Sequence, residues 1–325
     1  LCERLLRRDT RDRAGAADIL RVLDPARKPR RSAIIEALTA EPSVVPRAVM
    51  PLVGRQRELG LLAGALGDAR RSQAVLQVVT GPSGIGKTAL IEAFARQLSS
   101  DALVLLGRCH ERETMPFKAL DGIIDGLARR LGQLSTTTRG RVLPDRADLL
   151  AELFPVLRRV EGIGGGPQTW RGADPGELRL RAFATLRELL GRLAQHTPLV
   201  LIIDDLHGAD LDSLDLLAHI LRLPDSPRLL VVAAGRPSGA LDRLRDLATR
   251  GQIPTMRRLE LGPMPTEEAE LLADVAASHL GIDLSSARAI ALACDGHPGF
   301  ILELVRAADS PDLTAGAEHV PTLDE

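Results

Sequence analysis

The sequence predicts an α/β fold in which a parallel five-stranded sheet carries helices on both faces and a small helical lid follows. From residue 51 onward, short apolar runs typical of buried strands alternate with stretches whose apolar residues recur every three or four positions. A glycine-rich run ending in Lys87 and Thr88 stands between the first such strand and the first such helix. After the fifth strand the pattern is helical throughout, which places the lid after the sheet.

Five segments are the predicted strands. The run at residues 199–203 is apolar throughout, which favours a strand buried on both faces of a parallel sheet. In order, the strands are expected over residues 74–80, 102–106, 199–203, 229–234 and 256–261.

The core helices are predicted between these strands, from apolar spacing at residues 90–98, 120–127 and 180–190. The last of them begins with Asp174 as N-cap, Pro175 in the first turn and Glu177 as a capping-box residue. Residues 134–173 form an insertion around one predicted helix, 148–160, with a mobile loop expected at 162–166.

The chain divides into five predicted segments. Residues 1–23 suggest two short helices around a polar turn, and residues 24–50 a proline-rich linker. The α/β core is expected over 51–262, and a lid of three helices over 263–308. The lid helices should cover 266–279, 285–293 and a segment after Gly296 with Phe300, Ile301, Leu304 and Val305 on one side. Residues 309–325 read as a linker, and because the chain starts with Leu inside a helical pattern, we expect it to be cut from a longer one.

Composition excludes several classes of protein. A chain of 325 residues suggests about two domains, and 45% hydrophobic content excludes disorder and collagen. A net charge of −1, with five Phe, one Trp and no Tyr, argues against a nucleic-acid partner. Apolar runs are far shorter than the roughly 20 residues of a membrane span. Three widely spaced cysteines predict neither disulfides nor a zinc site, and favour the cytoplasm.

The strongest functional signal is a phosphate loop of the pattern G-x-x-x-x-G-K-[ST]. Its glycines let backbone N–H groups surround phosphates, and the helix that starts near Lys87 adds its positive end. Lys87 is expected to bind the β- and γ-phosphates of ATP, and the Thr88 hydroxyl to ligate Mg²⁺. A P-loop NTPase fold is therefore predicted, with nucleotide bound by Gly81, Pro82, Ser83, Gly84, Ile85, Gly86, Lys87 and Thr88.

A second signal is the strand 199–203, which is followed directly by Asp204 and Asp205. A carboxylate at the C-terminal end of a buried parallel strand is expected next to the phosphate loop of a neighbouring strand. Asp204 is predicted to hold Mg²⁺ through water, and Asp205 to orient or polarise the attacking water.

Other residues carry weaker signals. Arg236 follows the fourth strand, where a cation could sense the γ-phosphate, although such an arginine is equally well a surface residue. Arg55, before the first core helix, could border the nucleotide. His207 is interpreted as a helix-start residue, Trp170 as loop packing and Cys109 as a buried small hydrophobe.

Together these motifs resemble the STAND class of AAA+-related ATPases, in its bacterial signalling branch with an Orc1-like AAA module. The resemblance covers residues 51–308 and rests on the segments 51–59, 81–88, 107–111, 201–210, Arg236-Pro237 and Gly296-His297-Pro298.

The resemblance implies roles for residues that the motifs alone leave undefined. Gly54 and Arg55 would border the adenine, Arg236 would act like a first sensor, and Pro298 would be the nucleotide-contacting proline of the lid. Gly208 stands where the family usually has Trp. Because the two acids are intact, this departure affects only a packing contact.

The first 23 residues resemble the final helices of a serine/threonine protein kinase. The family pattern D-P-x-x-R appears as Asp9-Thr10-Arg11-Asp12-Arg13, and an ordinary helical hairpin is the alternative. Bacterial kinases fused to this ATPase module have the same order of segments. The resemblance therefore implies a parent chain with a kinase domain and sensor or repeat domains, and it allows self-association when ATP binds. The kinase catalytic motifs are absent from the 325 residues, so this chain cannot phosphorylate protein by that mechanism.

The favoured function is an ATP-binding and hydrolysing signalling switch, with slow hydrolysis as its reset. One alternative is a DNA-associated ATPase of the origin-recognition, helicase-loader or regulator type. Residues 309–325, which contain acidic residues but no Lys or Arg, offer no basic face for DNA. A small-molecule phosphotransferase is the other alternative, and the separate helical lid disfavours it.

Overall fold

A computed structural model describes residues 50–98, 101–109, 116–164, 174–281 and 287–308. The predicted kinase-like segment 1–23, the linker up to residue 49, Trp170, the proposed loop from residue 165 and the tail 309–325 lie outside the described residues.

The core is a five-stranded sheet in which every neighbouring pair of strands is parallel. Its strands are β1 (Val75–Thr80), β2 (Leu103–Arg108), β3 (Leu199–Asp204), β4 (Leu229–Gly235) and β5 (Met256–Glu260). Their order across the sheet is β2-β3-β4-β1-β5. The predicted fold class is therefore confirmed, and each strand lies within two residues of its predicted bounds.

Eleven α-helices lie in the described part of the chain. Those of the core are α1 (Gln56–Arg71), α2 (Lys87–Leu98), α3 (Lys118–Gln133), α4 (Thr136–Val142), α5 (Leu150–Leu153), α6 (Pro175–His196), α7 (Leu211–Leu221) and α8 (Gly239–Thr249). Three follow β5 and are called the lid, namely α9 (Thr266–Leu280), α10 (Ala287–Ala293) and α11 (Pro298–Ala308). None of the helices that the structure describes is long and apolar enough to cross a bilayer.

Two hydrophobic cores cover the two faces of the sheet. In β3, Leu201 and Ile203 join the core that contains α3, α6 and α7, while Val200 and Ile202 join the core that contains α1 and α2. Because successive side chains of a strand point to opposite faces, a strand covered on both sides is apolar at nearly every position. All residues of β1, β3 and β4 are accordingly buried.

The order of the strands corrects one expectation about the site. β4 lies between β1 and β3, so the phosphate loop and Asp204 follow strands that are not direct neighbours. They still meet, because α2 carries Thr88 back across the edge of the sheet to Asp204.

The insertion differs from its predicted single helix over 148–160. A 3-10 turn (Ala147–Leu149) leads into α5, and a second 3-10 turn (Pro155–Arg159) follows it. Pro155 has no backbone N–H and cannot continue the helix, so the segment breaks there. α4, capped by the Ser135 side chain, is an additional helix that the sequence pattern did not predict.

The start of α6 confirms the predicted N-cap but not the predicted apolar face. Asp174 is the N-cap and accepts a hydrogen bond from the backbone N–H of Glu177 at 3.0 Å. The Glu177 carboxylate accepts from Arg181 at 2.6 Å. Leu180, predicted on the apolar face, is 58% exposed because it lies in the first turns of the helix, before the buried stretch begins.

The lid has a hydrophobic core of its own, to which Val53 contributes from the segment before α1. On α11, Ile301 and Val305 are buried in this core, whereas Phe300 is 57% exposed and Leu304 is also exposed. The four were predicted on one side. The buried stripe is narrower, because it consists of the residues that face α9 and α10.

Candidate functional site

A cavity of about 850 Å³ opens at the C-terminal edge of the sheet. It brings together residues that are far apart in the sequence, since the edge collects the segments after β1, β3 and β4. Among its lining residues are the predicted Ser83, Gly84, Gly86, Lys87, Thr88, Asp205 and Arg236, together with Gly299 and Leu302 of the lid.

The phosphate loop joins β1 to α2 and comes very close to the lid. The backbone N–H of Gly299 donates to the Gly84 carbonyl at 3.0 Å. Gly84 has a φ of 74°, and a Cβ there would lie 2.9 Å from Cε1 of His297. Only glycine suits both the left-handed backbone and this close approach.

Lys87 is buried at the start of α2, and its ammonium group donates to two carbonyls of the loop. The Nζ···O distances are 3.0 Å to Gly81 and 2.7 Å to Pro82. Burial lowers the pKa of Lys87, and the nearby carboxylates of Asp205 and Asp204 oppose that shift. The Lys87 side chain is therefore held by backbone carbonyl groups at the mouth of the loop.

Asp204 is the most heavily hydrogen-bonded acid of the site and is 1% exposed. Its Oδ2 accepts from Thr88 Oγ1 at 2.9 Å and from Arg108 through Nε at 3.1 Å and Nη2 at 2.7 Å. Its Oδ1 accepts the backbone N–H of Asp205 at 3.0 Å. A buried carboxylate requires such partners, because an unpaired buried charge is costly.

Asp205 turns the chain away from β3 and lies beside the cavity. Its φ of 56° is left-handed, and its side chain is 41% exposed. The Nδ1 atom of His207 lies 4.0 Å from the Asp205 carboxylate, and the other ring nitrogen lies 3.1 Å from Nη2 of Arg236. His207 therefore lies between the Asp205 carboxylate and the Arg236 guanidinium at the edge of the cavity.

A smaller, mainly apolar cavity of about 140 Å³ adjoins the phosphate loop. Arg55, Ile85 and Pro298 line it, with Leu52 and Met264 as apolar neighbours. It lies between the segment before α1, the start of α2 and the lid.

Arg55 and Gly54 fasten this segment to the lid region. Arg55 is buried, and its guanidinium donates to the Gly262 carbonyl and, at 3.3 Å, to Glu58. Gly54, with a φ of 66°, does not line either cavity. A Cβ at Gly54 would lie 2.0 Å from Oε2 of Glu268 on α9, so this position packs against the lid.

The two cavities suit the two parts of a nucleotide. The larger one offers the ammonium of Lys87 and a loop open at Gly86, where a Cβ would meet nothing within 4 Å. The smaller one offers an apolar slot of the kind that takes a flat base.

Mg²⁺ also fits the residues present. The hydroxyl of Thr88 and the carboxylate of Asp204 are hard oxygen ligands. The described ranges contain no group of three or more His, Cys, Asp or Glu side chains that could hold a metal ion. Few protein ligands are what Mg²⁺ requires when phosphates and water complete its coordination.

Sequence reasoning gave no role to several side chains at this site. Arg108 and Glu92 lie beside Asp204, with 3.9 Å between the guanidinium and the Glu92 carboxylate, and His207 contacts Arg236. The register of β2 on β3 pairs Arg108 with Asp204, and no signal in the sequence reveals that pairing. Cys109 is buried as predicted, and burial raises the pKa of its thiol to about 12.

Residues 51–232, more than half of the chain, match the family model of the AAA ATPase domain. An uncharacterized protein of Rhizobium meliloti (strain 1021) is 26% identical over 230 residues, covering 68% of this chain and 21% of that protein. The chain thus spans about a fifth of the length of this curated relative.

Similar solved structures include the Orc1 protein of Aeropyrum pernix in complex with DNA, with 18% identity and a TM-score of 0.46 over 89% of this chain and 66% of that one. Drosophila ORC bound to DNA has 18% identity and a TM-score of 0.47, covering 90% and 64%. A RuvB variant of Thermotoga maritima has 17% identity and a TM-score of 0.40, covering 83% and 64%.

Proposed function

Because the chain belongs to the AAA ATPase domain family, we propose that it binds ATP with Mg²⁺ at the phosphate loop and hydrolyses it slowly. The observation that carries this proposal is the meeting of Lys87, Thr88 and Asp205 at one cavity, with Asp204 bonded to Thr88 behind it. A cation, a hydroxyl and two carboxylates at the end of a parallel sheet are what phosphoryl transfer to water requires.

Each residue then has a separate task. Lys87 stabilises charge on the β- and γ-phosphates, while Thr88 and Asp204 hold Mg²⁺, which when bound neutralises the same phosphate oxygens. Asp205 accepts a hydrogen bond from the attacking water and orients it. Arg236 contacts the γ-phosphate, and His207 positions its guanidinium.

The base is proposed to lie in the smaller cavity, with Arg55 and Pro298 at its border. The support is the apolar lining of that cavity and its position next to the phosphate loop. Gly54 acts indirectly in this scheme, by allowing the segment before α1 to approach Glu268 of the lid.

Replacing the phosphate-binding cation tests the proposal. We expect Lys87→Ala to weaken binding of a fluorescent ATP analogue by about tenfold or more, since charge-assisted hydrogen bonds to phosphate are lost. Arg129→Ala, at an exposed position of α3, is the matched control and should bind like the unchanged protein. Equal affinity of the Lys87→Ala variant and the control would refute the proposal.

At the level of the whole protein, we propose a signalling switch within a serine/threonine kinase and STAND-type ATPase fusion. Its support is the kinase-like pattern at residues 5–13, the proline-rich linker and the order of the segments. Reading the gene on both sides of this segment tests it, because a complete kinase upstream and repeats downstream are expected. A nucleic-acid partner is not expected, and salt-sensitive binding of a labelled DNA duplex would contradict that expectation.

A further inference from the structure

Arg108 ends β2, and the strand register places it directly opposite Asp204 at the end of β3. Its guanidinium donates twice to one carboxylate oxygen, Oδ2, through Nε and Nη2. The same interaction raises the pKa of Arg108, because the hydrogen bond to Asp204 favours the charged form. The pairing is therefore a strong, fixed-charge contact.

The oxygen that Arg108 contacts is the one that also bonds to Thr88. Oδ2 of Asp204 accepts from the Thr88 hydroxyl at 2.9 Å, while Oδ1 accepts from the backbone of Asp205. Thr88 and Asp204 are the two side chains to which the proposed function assigns Mg²⁺. Arg108 thus brings a protein cation to the carboxylate that would hold the divalent cation.

A second carboxylate lies within reach of the same guanidinium. Glu92 follows Thr88 by one helical turn on α2, and its Oε1 lies 3.9 Å from Nη2 of Arg108. Burial raises the pKa of Glu92, and the charge of Arg108 opposes that shift. A small movement would close this distance to a hydrogen bond, and the half-buried Arg108 side chain has solvent on one side to allow it.

We propose that Arg108 is a positioning residue that competes with the divalent cation for Asp204 and transfers to Glu92 when that cation binds. This inference rests on the proposed function. It makes the Mg²⁺ requirement of nucleotide binding depend on two residues that do not ligate the metal. Arg108 should raise the Mg²⁺ concentration that is needed, and Glu92 should lower it by offering Arg108 another partner.

The test measures cation binding by two methods on the whole chain. One is the Mg²⁺ concentration at half-maximal binding of a fluorescent ATP analogue, and the other is free Mn²⁺ measured by electron paramagnetic resonance. We expect Arg108→Gln to lower the half-maximal concentration by about tenfold, since a strong charged hydrogen bond no longer competes. Glu92→Gln should raise it severalfold, and the double variant should behave like Arg108→Gln alone.

Arg129→Gln, on the exposed surface of α3, is the matched control and should leave both measurements unchanged. An unchanged or higher Mg²⁺ requirement in Arg108→Gln would overturn the inference while leaving nucleotide binding, and thus the proposed function, intact. Failure of the unchanged protein to bind the analogue would instead overturn the proposed function. If Arg108→Gln does not fold, Arg108→Lys decides, because a lysine keeps the charge without the two-pronged contact. It should lower the requirement by a smaller factor, and no decrease would overturn the inference.

Discussion

Asp204 and Asp205 are adjacent acids in contrasting environments. Asp204 is buried and fully occupied with hydrogen bonds from Thr88, Arg108 and the next backbone N–H. Asp205 is half exposed, and the left-handed turn at its own position directs the chain out of the sheet beside the cavity. A carboxylate that is fixed by hydrogen bonds suits metal binding, and a carboxylate that is more exposed suits contact with water.

Substitution of the two acids should therefore separate binding from turnover. Asp205→Asn should leave affinity for the ATP analogue nearly unchanged and lower phosphate release by about 100-fold, since it removes the group that orients water. Asp204→Asn should in addition weaken the Mg²⁺ dependence of nucleotide binding. Unchanged steady-state phosphate release in both variants would show that this strand end has no part in hydrolysis.

Cys109 gives a prediction about pH. Burial raises the pKa of its thiol from 9.0 to about 12, so in the folded protein the thiolate forms only at very high pH. Iodoacetamide should label Cys109 slowly at pH 9 in the native protein and rapidly after unfolding in guanidinium, as measured by peptide mass. The stabilising effect of this burial is complete below pH 9 and is lost as the pH approaches 12. Equal labelling rates for folded and unfolded protein at pH 9 would contradict the shift.

At the scale of elements, Asp210 fixes the beginnings of two helices. Its carboxylate accepts from Ser213 N–H at 2.7 Å at the start of α7, and from the N–H groups of Phe117 and Lys118 at 3.2 and 3.1 Å at the start of α3. Burial raises the pKa of Asp210, but the hydrogen bonds from Ser213 and Phe117 outweigh it and lower the pKa overall. One side chain thereby connects helices that are 93 residues apart in sequence.

Removal of this double cap should be costly. Asp210→Ala is expected to lower the free energy of unfolding by about 2 kcal/mol, at the upper end for an N-cap, because two helix ends lose their acceptor. Asp210→Asn should lose less, since the amide oxygen still accepts. The lowered pKa means that the stabilisation is present above the ordinary value of 3.8 and is lost as the pH falls through the folded-state value. Urea titrations of the variants at pH 7 measure the free energy of unfolding. Asp174 caps only one helix, so Asp174→Ala is the comparison. If Asp210→Ala lost no more stability than Asp174→Ala, Asp210 would not have a double role.

At the scale of the whole molecule, the lid and the α/β core meet at the two cavities of the proposed nucleotide site. Pro298 lines the smaller cavity, Gly299 and Leu302 line the larger one, and Gly299 bonds directly to Gly84 of the phosphate loop. The lid therefore makes contacts that a bound phosphate or base would alter. Such differential contact is what a population shift between two states requires.

Amide hydrogen exchange tests whether the lid responds. We expect α9 and α11 to differ in protection between the complexes with a non-hydrolysable ATP analogue and with ADP, while the buried β3 should not. Pro298→Ala should reduce that difference because it removes a lid side chain from the cavity proposed to hold the base. Superimposable exchange over residues 262–308 in both complexes would exclude a switch and leave a simple ATP-binding domain.

Much of the fold could be predicted because its signals are local. Strands buried on both faces are apolar at nearly every position, and this is why β1, β3 and β4 were predicted nearly to their ends. Elements without such a constraint were predicted less well. The break at Pro155 follows from the missing N–H of proline, which apolar periodicity does not take into account, and the exposure of Phe300 depends on what α11 packs against.

The phosphate loop and the two acids at the end of β3 could be selected from sequence, because their chemistry requires fixed spacing along one stretch of chain. The strand order, the bond from Thr88 to Asp204 and the pairing of Arg108 with that same carboxylate were decided by the tertiary structure. The same is true of His207, which contacts Arg236 across 29 positions of the sequence. These contacts join residues whose separation along the chain is arbitrary, so only the packing of β2, β3 and β4 into one sheet brings them within bonding distance.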